Sequence, residues 1–189
     1  MVRTHLISTL LLVSNVEASA FTPPASIEAW RAFLVGQWTL RKAMNFRDGG
    51  LSGRFQGSAT FLPFAQNVLG YNESGTFTPK EGGTERETRN SLLYDCSAPD
   101  VERIEVFYDL ATDRSSPEAI VSGAKFLYAF EPLEPGTLSI KETQQGDDTY
   151  SGELEVSAPD AFLLTWRVRG TRQNGEILSL YSRSDDQVL

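Results

Sequence analysis

The chain has 189 residues, and at about 100–200 residues per domain that is the length of one domain; its 40% hydrophobic and 22% charged residues are ordinary globular values. The net charge of −8, with no basic stripe along the sequence, argues against nucleic acid and against docking of the mature form on anionic membranes, which leaves small molecules and protein partners. One cysteine, Cys96, excludes an intramolecular disulfide, and the single histidine, His5, lies in a segment expected to be removed, so His-based triads and His-ligated haem or zinc are excluded and no cofactor or metal is expected.

Met1 to Ala20 reads as a secretory signal peptide. Arg3 supplies the positive start, Leu6 to Val16 a short apolar stretch, and Ala18-Ser19-Ala20 an A-x-A cleavage site. That stretch is shorter than the roughly 20 residues a spanning helix needs. Ala18-Ser19-Ala20-Phe21 resembles the junction of bipartite plastid presequences, in which a signal peptide is followed by a transit segment starting with phenylalanine. Two destinations stay open, the plastid and the exterior. Residues 21–30 then read as a linker or short transit segment, 31–184 as the folded domain and 185–189 as a tail.

Ser26 is a suitable N-cap for a short helix from Ile27 to Leu34, with Glu28 near its positive end. From Gln37 onward, period-two alternation takes over. Trp38, Leu40, Met44 and Phe46 share one parity, and Asp48-Gly49-Gly50 supplies a turn. Phe55, Gly57, Ala59 and Phe61 alternate with polar residues, the small pair leaving inner room for a bulky neighbour or a ligand. Further strands are expected at Leu69 to Phe77, Thr84 to Tyr94, Arg103 to Asp109, Lys125 to Phe130 and Leu138 to Glu142. Asp148 to Val156, Phe162 to Val168 and Ile177 to Arg183 complete about ten. Leu110 to Ala124 carries Pro117 and little periodicity and reads as an exposed loop, and Asn174-Gly175 as a two-residue hairpin joining the last two strands. The fold class is therefore all-β, a single antiparallel barrel or sandwich with a short N-terminal helix.

Four polar features stand out. Tyr71 and Glu73 share parity with Leu69 and Phe77, so Glu73 should face the interior, where a carboxylate needs a partner. Arg89 and Arg183 are the arginines proposed for it. Asp148 and Tyr150 share a face with Leu154 and Val156, which would put a phenol on a cavity wall. Trp166 lies on the apolar face Phe162-Leu164-Trp166-Val168, and Arg167 and Arg169 on the other. Cys96 reads as a small buried hydrophobe.

The opening Gly36-Gln37-Trp38 and the closing Tyr181-Ser182-Arg183 resemble the base of calycin-type barrels, where the indole of strand one lies beneath the guanidinium of the last strand, a contact worth about 0.5–2 kcal/mol. Taken in order, Phe33-Leu34-x-Gly36-x-Trp38-x-Leu40-Arg41, Gly53-x-Phe55-x-Gly57-x-Ala59-x-Phe61, Leu69-x-Tyr71-x-Glu73-x-Gly75, Arg89 with Tyr94, Asp148-x-Tyr150, Trp166-Arg167-Val168-x-Gly170 and Tyr181-x-Arg183 resemble the Domain of Unknown Function 6314 family. The resemblance implies a lipocalin-like, up-and-down barrel of about 8–10 strands from about Phe33 to Arg183. It departs where members carry a His and Cys before the D-x-Y motif and a Phe-His pair earlier. Lys141 to Gly146 holds neither, and Phe126 is followed by Leu127. Any activity that depends on those histidines is not expected here.

Three functional readings follow. The first is a non-catalytic protein binding a small, mostly apolar molecule through Tyr71, Glu73, Arg89, Tyr150, Trp166, Tyr181 and Arg183. The second is a proton-transfer isomerase, cyclase or lyase using Glu73. The third is a structural or interaction module whose barrel is filled by its own side chains.

Overall fold

The alternating stretches form ten antiparallel strands: β1 (Gly36–Asp48), β2 (Gly53–Ala65), β3 (Val68–Pro79), β4 (Arg86–Asp95), β5 (Ile104–Tyr108), β6 (Lys125–Glu134), β7 (Thr137–Gln145), β8 (Asp148–Ala158), β9 (Ala161–Gly170) and β10 (Asn174–Ser182). The computed structural model describes residues 21–97, 102–109, 116–171 and 173–183. The expected signal peptide (1–20) and tail (185–189) lie outside the described residues. Each strand pairs with its chain neighbour, and β10 returns to pair with β1 from Thr39↔Ser182 to Asp48↔Asn174. The result is a closed up-and-down barrel, whose closure leaves no strand edge unpaired.

Alternation decides the inside. Trp38 and Leu40 from β1, Phe55 and Phe61 from β2, Leu69 and Tyr71 from β3, Phe130 from β6 and Phe162 from β9 are all buried in one core. Each would face solvent after a one-residue slip, so the pattern also fixes register. The inner face is not roomy at Gly57. Gly57 pairs with Gly75, a Cβ at Gly57 would lie 2.1 Å from the Ser74 carbonyl oxygen, and one at Gly75 would lie 2.8 Å from the Phe55 ring. The space is taken by close strand approach and a neighbouring ring.

One end of the barrel is plugged. α1 (Ile27–Leu34) starts at Ser26, whose hydroxyl accepts from the Ala29 N–H, and it buries Trp30 and Leu34. The Trp38 indole N–H donates to the Leu34 carbonyl at 2.8 Å. Arg183 lies 4.1 Å from the Trp38 ring centroid and donates to the carbonyls of Phe33 (2.7 Å) and Val35 (3.2 Å). The expected closure by the first and last strands is thus present. Pro24 is docked as well, its carbonyl accepting from the Gly136 N–H at 2.9 Å.

Two local expectations are corrected. Within the segment read as a loop, α2 (Pro117–Ser122) forms with Ser116 as N-cap and Pro117 at its start. Its Ile120 packs outside the barrel against Val68 and Leu93, covering an apolar patch that would otherwise face water. Asn174-Gly175 is not the turn, because both residues are already paired, with Arg169 and Val168. Glycine is required there by proximity: a Cβ at Gly175 would meet the Asn45 carbonyl oxygen at 2.3 Å and the Phe46 ring at 2.7 Å.

Candidate functional site

Glu73 projects inward from the middle of β3, as its parity requires, and its side chain is 10% exposed. Its partner is not an arginine. Lys42 on β1 shares the parity of Trp38 and Leu40, so its amine also points inward, and it donates to both carboxylate oxygens at 2.6 and 2.7 Å. The Lys42 amine also lies 5.2 Å from the Phe55 ring centroid, on the strand between them. Arg89 is excluded by register: it pairs with Ser74, on the outward face, and is exposed. Arg183 is committed to the base. The Lys42 signal was present in the alternation, in an inward position between Leu40 and Met44.

The Tyr71 hydroxyl donates to Glu73 Oε2 in a short hydrogen bond, and its oxygen lies 3.1 Å from the Tyr181 hydroxyl. A phenol has one proton, so with Tyr71 donating to the carboxylate, Tyr181 donates to Tyr71. Beside them, Tyr94 and Tyr128 each pack against the Phe130 ring, at 6.2 and 5.5 Å between centroids. The rings are packed as well: Tyr181 stacks on Phe162 at 4.2 Å and Tyr94 lies 5.7 Å from Tyr71. Burial pushes all four phenols well above the ordinary tyrosine value, and the Glu73 charge adds to the effect. All four keep their protons near neutral pH, and Tyr71 and Tyr181 use theirs in the hydrogen bonds that lead to Glu73.

This arrangement narrows the chemistry. Both Glu73 oxygens are held by the Lys42 amine, and one also receives Tyr71, so three of the carboxylate's roughly four acceptor positions are filled. Its negative charge is neutralised by the Lys42 ammonium. Among the described residues no group of three His, Cys, Asp or Glu could hold a metal ion. Cys96, read as a small buried hydrophobe, is half-buried, and burial pushes its thiol up to about 12.

At the end opposite α1 the barrel opens into a cavity of about 270 Å³. Leu92, Leu127, Val168 and Ile177 supply apolar wall, and Tyr128, Tyr150 and Trp166 the aromatic part. A bulge in the β5–β6 pairing skips Leu127 and lets it join the inner core. Tyr128 meets Trp166 edge to face at 4.7 Å. Asn90, also on the cavity wall, pairs in register with Glu73, and the Tyr128 ring lies between Trp166 on the wall and Phe130 in the core. The buried polar cluster therefore borders the cavity floor without opening into it. Of the residues expected to form a binding set, the structure places Tyr150 and Trp166 on the wall, Tyr71, Glu73 and Tyr181 in the cluster beneath, Arg183 at the far end and Arg89 outside.

A family model described as a family of unknown function, DUF6314, matches residues 34–183. The chain belongs to the DUF6314 family. Among solved structures, the DUF6314 barrel is similar to the S-type phycobiliprotein lyase CPES from Guillardia theta, with a TM-score of 0.57 and 10% identity over 86% of this chain and 94% of that one. A redesigned β-barrel, mFAP1, bound to DFHBI aligns with a TM-score of 0.39 and 14% identity over 81% of this chain and 97% of that one. No curated protein matches the sequence.

Proposed function

We propose that this DUF6314 barrel binds one small, flat, mostly apolar molecule in its open mouth, without turning it over. The observation that carries the reading is the mouth cavity itself, apolar on most sides, with Asn90 and the phenols of Tyr128 and Tyr150 along its wall. A packed barrel has no reason to leave such a space, since interiors otherwise fill to crystal-like density. Its size limits the occupant. A cavity of about 150 Å³ already takes benzene, and drug-sized sites begin at about 300 Å³. A volume of about 270 Å³ suits one or two fused rings, or the end of a longer molecule that projects into solvent. Trp166 and Tyr128 offer the ring a stacking wall.

The neighbour from Guillardia theta is named a phycobiliprotein lyase. At 10% identity its likeness concerns the barrel alone and supplies no substrate. A proton-transfer reaction at Glu73 is disfavoured by the occupied carboxylate. Native mass spectrometry of protein purified from its own source tests the proposal. A one-to-one adduct of small mass should be present and should be lost in Ile177→Phe, which fills the mouth. A bare protein, together with no thermal shift across a panel of one- and two-ring compounds, counts against it.

A further inference from the structure

The outer wall formed by β9, β10, β1 and β2 carries a feature unrelated to the interior. Three surface clefts of about 480, 450 and 390 Å³ follow one another along it. The first two share Asn45 and Lys80, and the last two share Ala43 and Arg54, so they form one trough from the open rim toward the base. Arg47, Lys80, Arg167 and Arg169 line its rim end, with Arg54 and Arg41 further along. Among the described residues only Arg167 of these six has an ion-pair partner, Glu176 at 3.9 Å. The far end sets apolar side chains beside those arginines: Leu163, Leu178 and the 43% exposed Leu180 lie there, with Arg41 paired in register to Leu180 and Ala43 to Leu178.

From this we propose that the trough is a docking site for an extended acidic segment of a protein partner that carries apolar side chains. Charge complementarity argues for an acidic occupant, because five cations with no ion-pair partner among the described residues are gathered on one wall of a chain whose net charge is −8. Phosphate backbones have nothing to offer the leucine end, and a bilayer surface does not enter a concave trough. The remaining, strongly acidic surface would also repel either polyanion at long range. A peptide supplies carboxylates for the arginines and aliphatic side chains for the leucines at the spacing of one extended chain. Salt should weaken the complex, and the paired Arg–carboxylate geometry should make arginine hard to replace by lysine.

The experiment uses a soluble fluorescein-labelled peptide with leucines spaced among glutamates, a matched peptide with glutamine for glutamate, and fluorescence anisotropy with the full chain. The glutamate peptide should bind about tenfold tighter than the glutamine peptide, and Arg41→Gln/Arg54→Gln should weaken it by about tenfold. Both substituted side chains lie outside the barrel, so thermal unfolding and the occupancy of the mouth should stay unchanged. Equal binding of the two peptides overturns the proposal, as does full binding by the double variant. Tighter binding to phosphatidylserine vesicles or to a single-stranded oligonucleotide also overturns it. So does a concentration-dependent dimer in sedimentation that the double variant abolishes, which would make a second copy the occupant.

Discussion

The Lys42 amine reaches across β2 and holds both carboxylate oxygens of Glu73, at 2.6 and 2.7 Å, inside a barrel otherwise filled with rings. Two charges with side chains 15% and 10% exposed are stable there only as a pair.

Removing one partner should therefore cost far more than removing both. Lys42→Met strands the Glu73 charge and should destabilise by about 3–5 kcal/mol. Lys42→Met/Glu73→Leu should recover most of that loss, because Tyr71 can then turn its proton to Tyr181. Urea denaturation of these two variants and of Glu73→Leu checks this, with a coupling energy of about 2 kcal/mol or more expected. Additive losses would mean the pair is not a unit.

Tyr71, Tyr94, Tyr128 and Tyr181 should not ionise while the barrel is folded. Their folded pKa values are raised above the unfolded value of about 10. The contribution of these phenols to stability is complete below about pH 10 and is lost as pH rises above it, because only the unfolded chain releases those protons. Absorbance at 295 nm and near-UV circular dichroism, followed together, should change as one step for these four. Their ionisation with the dichroism intact would refute the packing described.

Gly36 should tolerate no side chain. Its φ is +131°, and a Cβ would lie 2.5 Å from the Arg183 guanidinium that caps Trp38. Gly36→Ala should lose about 1–3 kcal/mol from backbone strain alone, read as a lower denaturation midpoint. Arg183→Lys should also destabilise, since a lysine cannot serve the Phe33 and Val35 carbonyls and the indole together.

Cys96 should be silent toward Ellman's reagent at pH 8 until the protein unfolds. With the thiol pushed up to about 12, about one molecule in ten thousand is thiolate at that pH. Stoichiometric labelling of the native chain within minutes would contradict the burial.

The barrel could be read from the sequence because most of its strands alternate over long stretches and its ends carry Gly36, Trp38 and Arg183. The inward aim of Glu73 followed from the same parity. Its partner was missed although Lys42 obeys that parity too, since a lysine between Leu40 and Met44 looks like an interruption and not a wall position. Arg89 differs by one residue from the inward series of Leu92 and Tyr94, and one residue is enough to reverse its face. α2 was hidden for another reason. Ser116-Pro117 is a helix start, but six residues hold only because Ile120 finds Val68 and Leu93, a contact no local pattern shows. The basic trough was invisible for the same kind of reason: Arg41, Arg54 and Arg167 are far apart in the chain and meet only when β10 closes on β1.

The most direct test of the mouth as a binding site is methyl-resolved nuclear magnetic resonance of the protein titrated with indole. Methyl signals of Leu92, Leu127, Val168 and Ile177 should shift in a saturable way, while those of Leu34, Leu40 and Leu154 in the filled part of the barrel stay in place. Indole that moves none of the four mouth residues, or moves the plugged end instead, would show that the cavity is not the site.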